Sequence, residues 1–185
     1  MDNPTLILQT VDRHLNHPVR LVLYGRAALW LGFESAPPEA SKTQDVDAII
    51  SVAQSEVLTA DLQFWDAMEA ANAELAERGL YMTHLFHERE IFLRRSWQEN
   101  VVAVSRPALR WLQPFRPTTI DLVLTKMMRG NDPQDMDDAK FMIEHDRITK
   151  TQLNEAFTQM NSIELVELRD SFKRAQPIVL GFAGD

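Results

Sequence analysis

The 185-residue chain contains no cysteine, which excludes thiolate nucleophiles, disulfide bonds and cysteine-ligated zinc sites. It also lacks long apolar runs: nothing approaches the roughly 20 apolar residues of a membrane-spanning helix, and the run at residues 21–24 has the length of a strand. Residues 1–4 carry no basic segment ahead of an apolar one. These absences predict a cytoplasmic protein with no membrane partner.

Positive charge is also scarce. The chain has 19 Lys and Arg residues against 27 Asp and Glu residues, and its formal net charge is −8. Because nonspecific affinity for nucleic acid comes from neutralising many phosphates, this balance excludes a protein that coats nucleic acid. It leaves open a local basic patch, or a site where carboxylates hold metal ions.

What the chain does contain is the composition of an ordinary globular protein, with 45% apolar residues. Apolar spacing, helix formers and turn residues predict elements in the first part of the chain. In order, these are a helix over 4–16, a strand over 19–24, a helix over 27–31 that stops at Gly32, a strand over 46–52, a helix over 61–78, and short strands over 81–86, 91–93 and 101–104.

After Pro117 the pattern becomes helical. Thr118 or Thr119 can cap a helix that runs to about residue 129, and Asp132 followed by proline can start the next, through residue 145. Thr149 and Ser162 are candidate caps for two more helices, and we expect the tail 181–185 to fray.

The predicted fold class is therefore α+β, with two parts. Residues 1–117 are predicted to form a small mixed β-sheet core with flanking helices. Residues 118–185 are predicted to form a helical C-terminal part packed on that core.

The most informative local feature is a strand that ends at Gly25, followed by a short helix and then by Asp45 and Asp47 at the head of another strand. Residues two apart on a strand share a face at roughly 6–7 Å. Two such carboxylates suit a divalent metal beside a triphosphate, and glycine before a helix lets phosphate approach the helix N-terminus. The simpler alternative is a pair of solvated acids and an ordinary turn.

Two blocks of the sequence resemble a known family. The segments LYGRAAL at residues 23–29 and KTQDVD at residues 42–47 are similar to the signature of the nucleotidyltransferase superfamily with a polymerase-beta-like core. The segments IDLVLTKMMRG at residues 120–130 and DMDD at residues 135–138 are similar to the bacterial branch that includes AbiEii-type abortive-infection toxins and uncharacterised nucleotidyltransferases. The resemblance covers roughly residues 19–145.

Carried over by position, the resemblance implies roles for individual residues. Asp45 and Asp47 would hold Mg²⁺, with two ions possible, and Gly25 would be the glycine of the phosphate loop. Lys126 would contact the nucleotide phosphates, and Asp135 or Asp138, with Asp135 favoured, would complete the catalytic set.

The implied reaction moves a nucleotidyl group from a nucleoside triphosphate to an acceptor, either tRNA or a protein. The resemblance also implies a place in a toxin–antitoxin or phage-defence system, with a cognate antitoxin or another partner protein. The residues by themselves leave simpler alternatives. Lys126 can be a solvated helix lysine, and Asp135 an acid that the helix dipole favours.

The chain departs from the family at two places. Arg26 stands where the family has glycine or serine, and its side chain either obstructs the phosphate loop or binds phosphate itself. A third carboxylate that many members carry has no aspartate counterpart, and the region offers His84, Glu88 or Glu90. The alternative function is therefore a catalytically impaired nucleotide-binding or regulatory protein with the same fold.

A stretch rich in arginine and containing two tryptophans is a second candidate contact surface. Arginines interleaved with aromatic rings can bind RNA backbone and stack bases, although tryptophans are more often core residues. The residues are Arg89, Arg94, Arg95, Arg106, Arg110 and Arg116, with Trp97 and Trp111.

Overall fold

The computed structural model describes residues 1–161 and 166–185, without the side chain of His84. Ser162, a predicted helix cap, lies outside the described residues. The fold is α+β, which confirms the predicted class. The chain forms two compact units, one of Met1–His87 with Val101–Arg116 and one of Glu88–Asn100 with Pro117–Asp185. Glu88–Asn100 thus belongs to the second unit although it precedes the predicted boundary at residue 117.

A mixed β-sheet forms the base of the first unit. Its strands are β1 (Val19–Tyr24), β2 (Asp45–Ile50), β3 (Tyr81–His87), β4 (Val102–Ala103) and β5 (Leu112–Arg116). They lie in the order β3-β2-β1-β5-β4. β1 is antiparallel to β2 and parallel to β5, while β2 and β3 run parallel.

Helices α1 (Asn3–His14), α2 (Gly25–Gly32), α3 (Val52–Thr59) and α4 (Leu62–Leu75) complete the first unit. The Asp2 carboxylate caps α1 by accepting a hydrogen bond from the Thr5 N–H at 2.9 Å. Leu8 and Val11 on the apolar face of α1 are fully buried, and α1 packs on α4 and on β2. The first unit therefore has its own hydrophobic core.

The second unit is helical and contains α5 (Thr119–Lys126), α6 (Pro133–Asp146), α7 (Lys150–Gln159) and α8 (Val166–Phe182). The first three start at the predicted caps Thr118, Asp132 and Thr149, whose side chains accept N-terminal N–H groups. No helix among the described residues combines the length and apolar composition needed to cross a membrane.

Residues 88–100 join the second unit through Asn161. Its Nδ2 donates to the carbonyls of Glu88 at 3.0 Å and Ile91 at 2.9 Å, and its Oδ1 accepts from the Leu93 N–H at 3.1 Å. Because a side-chain amide takes these backbone groups, residues 91–93 form no strand, and that prediction is wrong.

Two further predictions fail at element ends. The strand predicted over 46–52 stops at Ile50 because the Ser51 hydroxyl accepts the Gln54 N–H at 3.2 Å and caps α3. The tail does not fray as predicted: α8 continues to Phe182, and the Gly184 carbonyl accepts the Lys150 N–H at 3.0 Å.

Candidate metal and nucleotide site

Gly25 forms the turn between β1 and α2. Its φ of +67° lies in the left-handed region, which glycine adopts without a Cβ clash. A Cβ added there would lie 3.4 Å from Oδ2 of Asp47. The turn thus brings the N-terminus of α2 beside the Asp47 carboxylate, and N–H groups at a helix N-terminus bind phosphate readily.

The two aspartates of β2 lie on one face of the sheet. Asp47 stands opposite Tyr24, the last residue of β1. Val46, between the two acids, points to the other face and is fully buried. Asp45 and Asp47 are themselves partly exposed, so a ligand from solution can approach this face.

Threonine hydroxyls contact both carboxylates. Thr43, just before β2, donates to Oδ1 of Asp45 at 2.7 Å. Thr83 of β3 donates to Oδ1 of Asp47 and also, at 3.0 Å, to the carbonyl of Val46. The carboxylates of Asp45 and Asp47 offer oxygen ligands, which suit hard cations such as Mg²⁺.

A carboxylate pair of this kind fits Mg²⁺ bound together with a triphosphate. The described residues contain no group of three or more His, Asp or Glu side chains that could hold a metal ion. Mg²⁺ does not require such a cage, because it typically takes one or two carboxylates and fills its octahedron with phosphate oxygens and water. Asp45 and Asp47 are the residues that would hold it.

Two of the three candidates for a third carboxylate belong to the second unit. Glu88 belongs to the second unit, where its Oε2 accepts from Trp97 Nε1 at 2.7 Å and Gln98 Nε2 at 2.8 Å. Glu90 is exposed in the same short turn, and the side chain of His84 lies outside the described residues. From β3, Thr83 contacts Asp47, and its neutral hydroxyl adds no charge for a cation.

Arg26 lies in the first turn of α2, directly after Gly25, and its side chain is partly exposed. This position is next to the helix N-terminus where phosphate would bind. Phosphate binding by Arg26 and obstruction by Arg26 both remain predictions.

Lys126 and Asp135 come together in the second unit as a buried ion cluster. Lys126 Nζ donates to Asp135 Oδ1 at 2.9 Å and to Asp138 Oδ2 at 2.7 Å. Arg129 Nε donates to the other oxygen of Asp135 at 2.5 Å. The side chains of Lys126, Asp135 and Asp138 are 7%, 6% and 3% exposed, so the cluster is almost completely shielded from solvent.

The charges of this cluster stabilise one another. Burial opposes ionisation of Asp135, but the hydrogen bond from Arg129 and the charge of Lys126 outweigh it and lower the pKa of Asp135. The hydrogen bond to Asp135 in turn raises the pKa of Arg129. These contacts stabilise the Lys126 ammonium in its buried position. They do not test its contact with nucleotide phosphates or the catalytic role of Asp135, and both stay predictions.

Two arginines of the arginine-rich stretch are engaged inside their own units. In the second unit, Arg94 Nη2 binds the Asp121 carboxylate at 2.8 Å. In the first, Arg106 Nη2 donates to the carbonyls of Trp30 and Phe33, each at 2.8 Å, at the C-terminal end of α2. These contacts are structural, so Arg94 and Arg106 are weak candidates for binding RNA.

Comparison with family models, with curated proteins and with solved structures gives no significant match. The resemblance to nucleotidyltransferases therefore depends on the motifs alone.

The sequence did not lead us to predict a role for either Thr43 or Thr83. Thr43 was within reach, because it precedes Asp45 by two residues, whereas Thr83 depends on how β3 pairs with β2.

Proposed function

We propose that the chain is a cytoplasmic, Mg²⁺-dependent nucleotidyltransferase that moves a nucleotidyl group from a nucleoside triphosphate to tRNA or a protein. The observation that supports this most directly is the position of Asp47 beside the Gly25 turn at the N-terminus of α2. A cation on the carboxylates and phosphates at the helix N-terminus would be neighbours. The resemblance adds a role in a toxin–antitoxin or phage-defence system, with a cognate antitoxin as partner.

The reaction is an in-line displacement at phosphorus. An acceptor hydroxyl oxygen bonds to the α-phosphorus, the bond from that phosphorus to the bridging oxygen breaks, pyrophosphate leaves with the electron pair, and the hydroxyl proton passes to water. Bound Mg²⁺ would supply charge neutralisation on the leaving group. Asp45 and Asp47 hold the cation, and Gly25, α2 and Arg26 receive phosphate.

Lys126 and Asp135 have secondary parts in this proposal. Lys126 is assigned a contact with the phosphates, and Asp135 is assigned help in activating the acceptor hydroxyl. Both assignments come from the resemblance, and the contact with phosphate requires a phosphate oxygen to reach the Lys126 ammonium, whose side chain is 7% exposed.

A second candidate function is a nucleotide-binding or regulatory protein that has lost catalysis. Two observations favour it. The neutral Thr83, rather than an acid, contacts Asp47 from β3, and the Lys126 ammonium is buried between two carboxylates. Such a protein would still bind nucleotide at the Gly25 turn but would act through a partner.

Thermal unfolding with ATP, GTP, CTP or UTP, each with and without Mg²⁺, tests the nucleotide site. A ligand at a hundredfold excess over its Kd stabilises by about 2.7 kcal/mol, which raises the midpoint by about 5–10 °C for a chain of this size. We expect such a shift with at least one nucleotide, only with Mg²⁺, and its loss in Asp45→Asn/Asp47→Asn. No shift with any nucleotide would contradict the transferase and a nucleotide-binding form of the second candidate, and would leave a regulatory protein that acts through a partner alone.

The matched control is Asp66→Asn, which neutralises an exposed acid of α4 in the same unit. It should keep the thermal shift, because only the charge near the site matters.

Incorporation of labelled nucleotide into total RNA and protein then separates the two functions. Incorporation that requires Asp45 and Asp47 supports transfer, and binding without incorporation supports the regulatory protein.

A further inference from the structure

The two aspartates of the site are held in the same way by different parts of the chain. Thr43 donates to Oδ1 of Asp45 from the segment before β2, and Thr83 donates to Oδ1 of Asp47 from β3. Because the two hydroxyls come from segments 40 residues apart, one local turn does not explain both contacts.

A hydroxyl donor restricts what a carboxylate can do. It opposes rotation of the carboxylate plane and engages Oδ1, so the direction in which Oδ2 points is set. For Asp47 that direction is toward the Gly25 turn, where a Cβ would lie 3.4 Å from Oδ2. Hydrogen-bond partners that orient metal ligands in this way typically contribute about 10- to 100-fold to metal affinity.

The Thr83 contact depends on an irregularity in the sheet. Val46 pairs with Met82, but Ala48 pairs with Leu85, so two residues of β3 stand opposite the single residue Asp47. Bulges of this kind re-aim side chains and are common next to active sites. Here the irregularity lies opposite Asp47, the residue assigned to the metal. The hydroxyl of Thr83, which is in the bulge, contacts the Asp47 carboxylate.

We propose that Thr43 and Thr83 are positioning residues for a divalent cation held by Asp45 and Asp47. This inference rests on the proposed function, because it takes the two aspartates as cation ligands. The threonines act through the aspartates and do not touch the cation. Carboxylate ligands select a hard cation such as Mg²⁺ or Mn²⁺ over softer metals.

Mn²⁺ is the probe, because the paramagnetic resonance signal of the free ion falls on binding. Titration without nucleotide compares wild type with Thr43→Val and Thr83→Val, which keep the side-chain shape and lose the hydroxyl. We expect each variant to bind Mn²⁺ about 10- to 100-fold more weakly. Thr43→Ser and Thr83→Ser keep the hydroxyl and should restore wild-type affinity.

The matched control is Thr10→Val. Thr10 is a buried threonine of the first unit whose hydroxyl donates to the Leu6 carbonyl at 2.8 Å within α1. Its loss should leave Mn²⁺ affinity unchanged. Urea unfolding of every variant without metal measures any general loss of stability, and if Thr83→Val does not fold, Thr43→Val decides the test.

The outcomes separate this inference from the proposed function. Wild-type Mn²⁺ binding that Asp45→Asn/Asp47→Asn abolishes, but that both valine variants retain in full, would overturn the role of the threonines alone. Failure of the wild-type protein to bind Mn²⁺ without nucleotide would overturn this inference, and the thermal shift with nucleotide and Mg²⁺ would then decide the proposed function separately. Weaker binding in the valine variants with recovery in the serine variants supports both.

Discussion

Gly25 and Gly79 share a positive φ angle but differ in their surroundings. Their φ angles are +67° and +64°. A Cβ on Gly25 would contact the Asp47 carboxylate, whereas a Cβ on Gly79 would meet nothing within 4 Å. The two glycines therefore separate backbone strain from an effect on the candidate site.

We predict that Gly25→Ala and Gly79→Ala each lower the free energy of unfolding by about 1–2 kcal/mol, because an L-residue is disfavoured in the left-handed region. Only Gly25→Ala should also weaken the Mg²⁺-dependent binding of nucleotide, since its methyl group enters the space beside Asp47. Urea unfolding and nucleotide titration measure the two effects. Equal nucleotide affinity in the two variants would show that the Gly25 turn does not receive phosphate.

At the scale of elements, Asp121 connects residues 88–100 with the start of α5. Its side chain is fully buried and accepts from the Arg94 N–H at 2.9 Å, from Arg94 Nη2 at 2.8 Å and from the Thr118 hydroxyl at 2.7 Å. Asp121, to which no chemical role is assigned, therefore has a structural role in the first turn of α5.

Asp121→Ala should destabilise the second unit by about 3 kcal/mol, because it leaves the largely buried Arg94 without its counter-ion. Glu144→Gln is the comparison: it breaks the exposed Lys140–Glu144 pair, 3.8 Å apart, and should cost less than about 0.5 kcal/mol. Urea unfolding measures both. Similar losses in the two variants would mean that Asp121 does not anchor this segment.

The elements that sequence predicted well have strong local signals. β1 lies at its predicted residues because a short β-rich run ends at glycine, and α6 begins at Pro133 because the Asp132 side chain caps it. β5 was not predicted, because Pro114 lies in its middle. The structure accommodates this proline because β4 ends at Ala103, just before the residue that faces Pro114. The Pro114 carbonyl accepts the Val104 N–H at 2.9 Å, and proline is not required to donate an N–H there.

The candidate site was predictable only in its local part. Gly25, Asp45 and Asp47 follow from a strand–turn–helix pattern and from alternation along a strand. The contact of Thr83 with Asp47 follows from a register shift between two strands that are distant in sequence, which no local pattern encodes. The burial of Lys126 between two acids was equally hidden, because spacing alone does not distinguish a solvated lysine from a buried one.

At the scale of the whole molecule, the acidic residues behind the net charge of −8 have different surroundings in the two units. In the first, Asp45 and Asp47 are partly exposed. In the second, Asp135 and Asp138 are buried and neutralise Lys126. A count of charges excluded a nucleic-acid coat but did not separate acids that are exposed from acids that are buried and stabilise the fold.

The buried acids make stability depend on pH. The pKa of Asp135 in the folded protein lies below its ordinary value of 3.8, because Arg129 and Lys126 outweigh the effect of burial. Its ionised form therefore contributes stability that is fully present above that ordinary value and is lost as pH falls through the folded pKa. The pKa of Asp61 is also lowered, with burial opposed by the Phe64 N–H and His17, and this adds to acid sensitivity.

Asp135→Asn isolates the contribution of one carboxylate. We predict that the variant is less stable than wild type at neutral pH and that the difference shrinks below about pH 4, because protonation then removes the same charge from wild type. The effect of Asp61 is present in both proteins and cancels in the difference. Urea unfolding between about pH 3 and pH 7 measures it. A difference that stays constant over this range would mean that the charge of Asp135 does not stabilise the second unit.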